Sequence, residues 1–269
     1  MPFYHIILLA IIQGISEFLP ISSSGHLVLT HHVLNGGAND LCWEANRLLD
    51  VAVHVGTLLS VLVYFRRDLF GMTKNMFAFQ STDSKLLQHI VIASLPVIII
   101  GFGLQYWQPS LLCSLKVMAW MTLIFGIILG IADRFDNKKT IDDMSHSNAL
   151  MIGLSQALAL IPGVSRSGIT MTSARFLGFS RVAAAKFSLL LSIVAISGAG
   201  VLSGLDLFQT GDMTIGQDVI MAVIFSFIFG YIAIHLMMKW LAQSTFKPFV
   251  IYRILLGVVL LAMLYSGYL

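Results

Sequence analysis

Charge is what this sequence has least of: of 269 residues, 11% are charged and 57% are hydrophobic. Soluble domains carry roughly 25% charged and about 45–50% apolar residues. A chain so poor in charge cannot cover a water-facing surface, and its mean hydropathy of +0.87 fits a polytopic helical membrane protein. Basic residues exceed acidic ones by only +3 and are spread over short loops. With no basic stripe interleaved with aromatics, nucleic-acid binding is excluded. Cysteine is nearly absent too. Cys42 and Cys113 have no CxxC or Cys/His spacing, which excludes a cysteine-built metal centre. They read as two separate thiols, and a disulfide between them requires both to lie on an oxidising side. There is no low-complexity segment and no soluble domain, so residues 1–269 form a single integral membrane domain. The start lacks a basic region and runs into Glu17, so it is not read as a cleavable leader.

What the chain does have is apolar runs near the roughly 20 residues that a helical crossing requires. Residues 4–35 read apolar, then small and polar, then apolar, with Pro20, Ser22, Ser23, Ser24 and Gly25 at the break. Each arm is too short to span. Non-helical backbone at membrane depth survives only where protein or a water-filled cavity covers it, so this is read as a re-entrant helical hairpin. Spans follow at about 48–65, 87–106 and 113–132, with loops at 66–86 and 133–147. The pattern then returns, with a second hairpin at 148–178 and spans at about 183–204, 217–239 and 247–267.

The chain is an internal repeat, about 1–135 and about 146–269. Ser22-Ser-Ser-Gly25 lies over Ser165-Arg-Ser-Gly168, and the same offset sets Gln13 over Gln156. Three crossings per half is an odd number, so the halves are inverted, an architecture whose sites form near the midplane between repeats. Lys and Arg occupy the loops at 66–86, 133–147, around 175–186 and 239–247, and are missing from 107–112 and 205–216. The positive-inside rule then places both termini and the mouth of the first hairpin outside, and the mouth of the second in the cytoplasm.

Chemistry concentrates in the hairpins. Gln13 and Glu17 are four residues apart, on one helical face. A carboxylate at membrane depth is costly and by default functional; a place near the interface is the plainer alternative. Ser22, Ser23, Ser24 and Gly25 let backbone N–H groups converge on an anion, or simply let helices pack closely. His26 follows Ser23 by three residues, within reach if the segment is helical, and suits proton transfer near neutral pH. The second hairpin adds Arg166, a planar cation matched to phosphate, with Ser165, Ser167 and Thr170 as hydroxyl donors and Gly163 and Gly168 for close approach. Arg166 needs an anionic partner. That partner is either Glu17, in a structural ion pair, or a substrate phosphate with Glu17 assisting.

Glu17-Phe-Leu-Pro-Ile-Ser-Ser-Ser-Gly-His26 together with Pro162-Gly-Val-Ser-Arg-Ser-Gly-Ile-Thr170 resembles the bacitracin-resistance family of undecaprenyl-diphosphate phosphatases, over the whole chain. The family pattern of Glu or Gln, three residues, then Glu reads Gln13 and Glu17 here. The amide at Gln13 weakens any role needing two carboxylates, such as binding a metal through both. Asp50 and His54 resemble a further patch of the family and equally suit a buried polar pair.

The resemblance implies a bacterial plasma-membrane enzyme that hydrolyses a C55 isoprenyl diphosphate to the monophosphate and inorganic phosphate, recycling the lipid carrier of cell-wall synthesis. On that reading Arg166 and the Ser/Gly donors hold the diphosphate. A divalent cation, Mg2+ or Ca2+, shares its charge through Glu17, and a homodimer is admitted. Ser23 is the expected nucleophile with His26 as its base, and direct attack by His26 is the rival route. The competing class is a transporter or flippase for a prenyl phosphate lipid, since inverted repeats serve transport equally; a channel is disfavoured because no ring of like pore-lining groups is evident.

Overall fold

The computed structural model describes residues 3–34, 47–78, 81–107, 114–210 and 216–267. Cys42 and Cys113 lie outside the described residues, as does the side chain of Ser24. Among the described residues the fold is all helical and contains no strand, only one isolated bridge, between Lys139 and Phe179. The helices are α1 (Phe3–Phe18), α2 (Ser23–Leu34), α3 (Arg47–Tyr64), α4 (Arg66–Lys74), α5 (Thr82–Trp107) and α6 (Leu115–Ala132). They continue with α7 (His146–Gln156), α8 (Arg166–Phe176), α9 (Arg181–Thr210), α10 (Gln217–Leu241) and α11 (Lys247–Tyr265).

Among the described residues five helices are long and apolar enough to cross a membrane, and a sixth span exists if α3 and α4, bent by 72° at their junction, count as one. The chain is a multi-pass membrane protein. Its outward faces show why. On α10 Ile220, Ile224, Ile228, Ile232 and Leu236 recur every fourth residue and are 41–58% exposed. Such a stripe has no place in water, whereas hydrocarbon solvates it at no cost.

The expected loop at 66–86 contains helix α4, which apolar periodicity could not reveal because its residues are mostly polar or charged. The expected span from 87 starts earlier, at Thr82, and contains Pro96. Residues 183–204 belong to a longer helix reaching Thr210.

The main core forms around α9, where Phe187, Leu189, Leu190 and Leu191 are fully buried. At one end of the bundle the basic connections are tied together. Asp133 accepts from Arg181 Nε at 2.5 Å and from the Phe246 backbone N–H at 2.9 Å. Lys186 on α9 pairs with Asp68 on α4 at 2.5 Å. Arg175, fully buried, donates to the carbonyls of Phe179, Asp133 and Phe135.

The two short helix pairs, α1/α2 and α7/α8, break alike. Among the described residues the positive-φ positions that are not glycine are Ser22 (φ 75°) and Ser165 (φ 72°), each directly before the second helix of its pair. An L-residue held there costs about 1–3 kcal/mol and persists only where its surroundings over-determine it. Packing follows the same correspondence: α1 lies against α10 and α7 against α5, while α3 meets α9 and α6 meets α11.

Candidate active site

The two breaks meet. Glu17, near the end of α1, is 7% exposed and accepts through both carboxylate oxygens. Arg166 Nη2, at the start of α8, donates to Oε1 at 2.6 Å. Gln13 Nε2, one turn earlier on α1, donates to Oε2 at 2.8 Å, and Ser23 Oγ, at the start of α2, donates to the same oxygen at 2.6 Å. Charge-assisted bonds this short are the strong class, and this carboxylate carries three of them. His54 on α3 adds Nε2 at 4.0 Å from Oε2. Its Nδ1 bonds the Asp50 carbonyl at 2.6 Å, which turns Nε2 toward the site. Thus Asp50 orients His54 through its backbone, and His54 faces the carboxylate.

Accessibility sorts these groups into two ranks. Glu17 and Gln13 are buried, whereas Ser23 and His26 are half-buried. The side chains of Arg166 and His54 are 15% and 33% exposed. Of the three charged or titratable side chains Glu17, Arg166 and His54, the Glu17 carboxylate is the most deeply buried, at 7% exposed.

His26 is arranged differently from the expectation. Ser23 bonds Glu17 rather than His26. The imidazole Nδ1 lies 2.7 Å from the Ser22 carbonyl and Nε2 lies 2.5 Å from the Tyr252 hydroxyl. The three-residue spacing assumed that the serine would look along its own helix. Ser23 is the first residue of α2 and looks back across the break to α1 instead.

The hydroxyls of the second hairpin are largely occupied. Ser165 Oγ caps α8 by accepting from the Gly168 N–H at 3.1 Å, as favoured N-cap residues do. Ser167 Oγ donates to the Leu19 carbonyl at 2.8 Å, a direct stitch between the two breaks. Thr170, 1% exposed, bonds the Arg166 carbonyl at 2.8 Å and Ser188 Oγ on α9 at 2.7 Å. It braces the second break against α9. Gly163 (φ 91°) packs its α-carbon on the Met118 carbonyl, where a Cβ would collide. Gly25 is buried near Met118, and Ser22 contributes its carbonyl to His26.

Arg253 stands outside both sequence motifs. It lies within the apolar helix α11, fully buried, and donates to main-chain carbonyls from both breaks and from α6. Those contacts are Gly163 at 2.8 Å, Val164 at 2.9 Å, Thr122 at 3.2 Å and Pro20 at 3.5 Å. One guanidinium thereby ties the tips of the two hairpins. A lone charge inside an otherwise apolar span was the signal that could have found it.

The expected divalent cation would have Glu17 as its ligand. Among the described residues no three His, Cys, Asp or Glu gather. Glu17, the expected ligand, already accepts from three donors, one of them cationic. A carboxylate offers about four lone-pair sites, and these donors take two on Oε2 and one on Oε1.

Residues 6–259 match the family model described as bacitracin resistance protein BacA. The chain is 46% identical over 271 residues to an undecaprenyl-diphosphatase of Hahella chejuensis, covering 98% of this chain and 99% of that protein. It is 44% identical to one from Alteromonas mediterranea, covering 97% and 98%, and 42% identical to one from Ruegeria pomeroyi, covering 99% and 100%. The match to the family model covers nearly the whole chain, and the polar cluster falls inside it; the chain belongs to the bacitracin resistance protein BacA family.

Proposed function

We propose that this protein is an undecaprenyl-diphosphate phosphatase that releases inorganic phosphate and returns undecaprenyl phosphate, the lipid carrier of cell-wall synthesis, and so confers bacitracin resistance. The observation that carries the reading is the Glu17 carboxylate holding Ser23 Oγ at 2.6 Å and Arg166 Nη2 at 2.6 Å. A hydroxyl, a base and a phosphate-binding cation are thereby gathered between two hairpin tips. The names of the relatives agree with that chemistry.

Phosphoryl transfer asks mainly for in-line positioning and neutralisation of the equatorial oxygens. In the proposed sequence the terminal phosphate takes the place of Glu17 on Arg166. A carboxylate released from a cation becomes a better base, so substrate binding itself activates Glu17 toward the Ser23 hydroxyl. Ser23 Oγ attacks the terminal phosphorus, its proton passes to Glu17, and the bond to the bridging oxygen breaks, releasing undecaprenyl phosphate. Water then attacks the phosphoserine while Glu17 returns its proton to the departing Ser23 Oγ, giving inorganic phosphate and restoring both Ser23 and the carboxylate. Glu17 replaces His26 as the base for Ser23 because it, and not His26, holds the hydroxyl. His26 and His54 stand ready to activate the water. Mg2+ or Ca2+ belongs to the diphosphate as its companion, and no step here depends on it.

The halves are proposed to be inverted repeats, each one re-entrant hairpin and three crossings. Matching strained serines at both breaks and matching helix contacts support this. The orientation places both termini and the catalytic mouth at the periplasmic face of the plasma membrane. It is supported by the basic connections lying together at one end, linked through Asp133 and Asp68.

The test is phosphate release from a prenyl diphosphate by protein purified in detergent micelles. Transport needs two compartments, so release in micelles is catalysis. No release, with head-group movement across vesicles, would replace the enzyme by a flippase. Ser23→Ala is expected to lower kcat by about a thousandfold or more, within the range of a lost nucleophile or its proton transfer. Near-normal turnover by Ser23→Ala with an inactive His26→Ala would shift the nucleophile to His26.

A further inference from the structure

Tyr252 took no part in the sequence reading and takes none in the steps above, yet its hydroxyl makes one of the shortest side-chain contacts at the hairpin. It lies 2.5 Å from His26 Nε2, and the two rings are near parallel, 13° apart with centroids at 5.6 Å. On the other side of the imidazole, Nδ1 lies 2.7 Å from the Ser22 carbonyl oxygen. A carbonyl only accepts, so Nδ1 bears the hydrogen. A neutral imidazole has a single N–H, which leaves Nε2 as the acceptor and the tyrosine as donor.

We propose that Tyr252 is a positioning residue for His26, fixing it as the Nδ1–H tautomer so that Nε2 is the ring atom that exchanges a proton during turnover. This rests on the reading above that His26 serves the active site. The parts that hold the ring are themselves held. The Ser22 carbonyl is aimed by a backbone at φ 75°. Next to Tyr252, Arg253 is anchored on the carbonyls of Gly163, Val164 and Thr122. The phenol is therefore delivered from α11, on backbone pinned to the hairpin tips, and not from a loose side chain. Tyr252 is also 41% exposed, so a water entering beside α11 can take the phenol's place as donor to Nε2 without unpacking the core.

The experiment pairs a tautomer measurement with kinetics. With 15N-histidine labelling in detergent, neutral His26 in the unsubstituted protein is expected to be the Nδ1–H form. Tyr252→Phe, which keeps the ring and removes the donor, is expected to shift it toward a tautomer mixture. The same variant is expected to lower kcat about tenfold, a part of what general acid–base catalysis contributes, with KM changed less than about twofold. In a His26→Asn background the Tyr252→Phe effect on kcat is expected to vanish, as it must for residues acting as one unit. An Nε2–H form in the unsubstituted protein overturns the proposal even if the variant fails to fold. So does an unchanged tautomer in Tyr252→Phe, or a changed tautomer with unchanged kcat. Full activity in His26→Asn alone would instead remove His26 from the proposed active site, while the spectra still judge the tyrosine contact.

Discussion

The two hairpins share a shape and divide the chemistry. Each turns on a strained serine, Ser22 at φ 75° and Ser165 at φ 72°, and each carries a fully buried glutamine on its first helix, Gln13 and Gln156. Four residues after Gln13 stands Glu17, which accepts its amide hydrogen at 2.8 Å. Four residues after Gln156 stands Leu160, and neither amide atom of Gln156 has a partner. The cation follows the opposite rule: Arg166 occupies the second break where Ser23 occupies the first. Shape was doubled and chemistry was not. Neither hairpin holds a complete set, so the fold must bring the two tips together, and Arg253 and the Ser167–Leu19 bond are what keep them there.

The largest break in this comparison is Glu17→Gln, which leaves the first hairpin, like the second, without a carboxylate. It removes the carboxylate that accepts from Ser23, the base of the proposed mechanism, and the anion from Arg166, whose Nη1 is already buried without a partner. Turnover is expected to fall by about 10²–10⁴-fold, the contribution of a positioned base. Stability should fall too, by at most about 3–5 kcal/mol, the cost of orphaning a buried charge; the Tm in detergent reads it. An active Glu17→Gln enzyme would leave the carboxylate as structural glue.

Arg166→Lys is the next effect down. The charge stays and the planar fork goes, so one oxygen contact survives where the guanidinium could offer more. We expect kcat/KM to fall about a hundredfold, the scale of one lost transition-state donor, with folding largely retained because Lys still pairs with Glu17. Equal losses for Arg166→Lys and Arg166→Ala would show that geometry, not charge, is what the second hairpin supplies.

Much of this pairing is legible in the sequence alone. Gln13 and Glu17 were placed on one face by spacing alone, and Arg166 had to find an anion because a lone cation at that depth is untenable. The expected spans 113–132, 217–239 and 247–267 end within a few residues of α6, α10 and α11. What stayed hidden depends on contacts between segments far apart in sequence. Ser23 and His26 are close neighbours, but a serine opening a helix faces the preceding arm, so a bond across the break displaces the local one. Thr170 looked like a free donor because a phosphate box reads as one unit. Its hydroxyl goes to Ser188 on α9, which no spacing rule connects. Arg253 and Tyr252 were missed for a simpler reason. Counting α11 as a span by average hydropathy hid the two polar groups that tie it to the hairpins.

The smallest predicted effects test the glutamines against each other. Gln13→Leu removes a donor from a charged acceptor, a bond worth about 1.5–3 kcal/mol. Its loss frees Glu17 to shift relative to Ser23, and kcat should fall about tenfold with Arg166 still in place. Gln156→Leu removes an amide that makes no hydrogen bond at either atom and is fully buried. Leucine has a similar reach and no desolvated dipole, so the change should be neutral or raise stability by about 1 kcal/mol. Its kcat should remain within about twofold, because its amide makes no hydrogen bond to Glu17, Ser23 or Arg166. Measured side by side for kcat and Tm, the two substitutions separate a glutamine recruited by its neighbour's carboxylate from one retained where the neighbour is leucine. If Gln156→Leu loses as much activity as Gln13→Leu, the second hairpin contributes more than its arginine, and the division of labour between the halves must be redrawn around that buried amide.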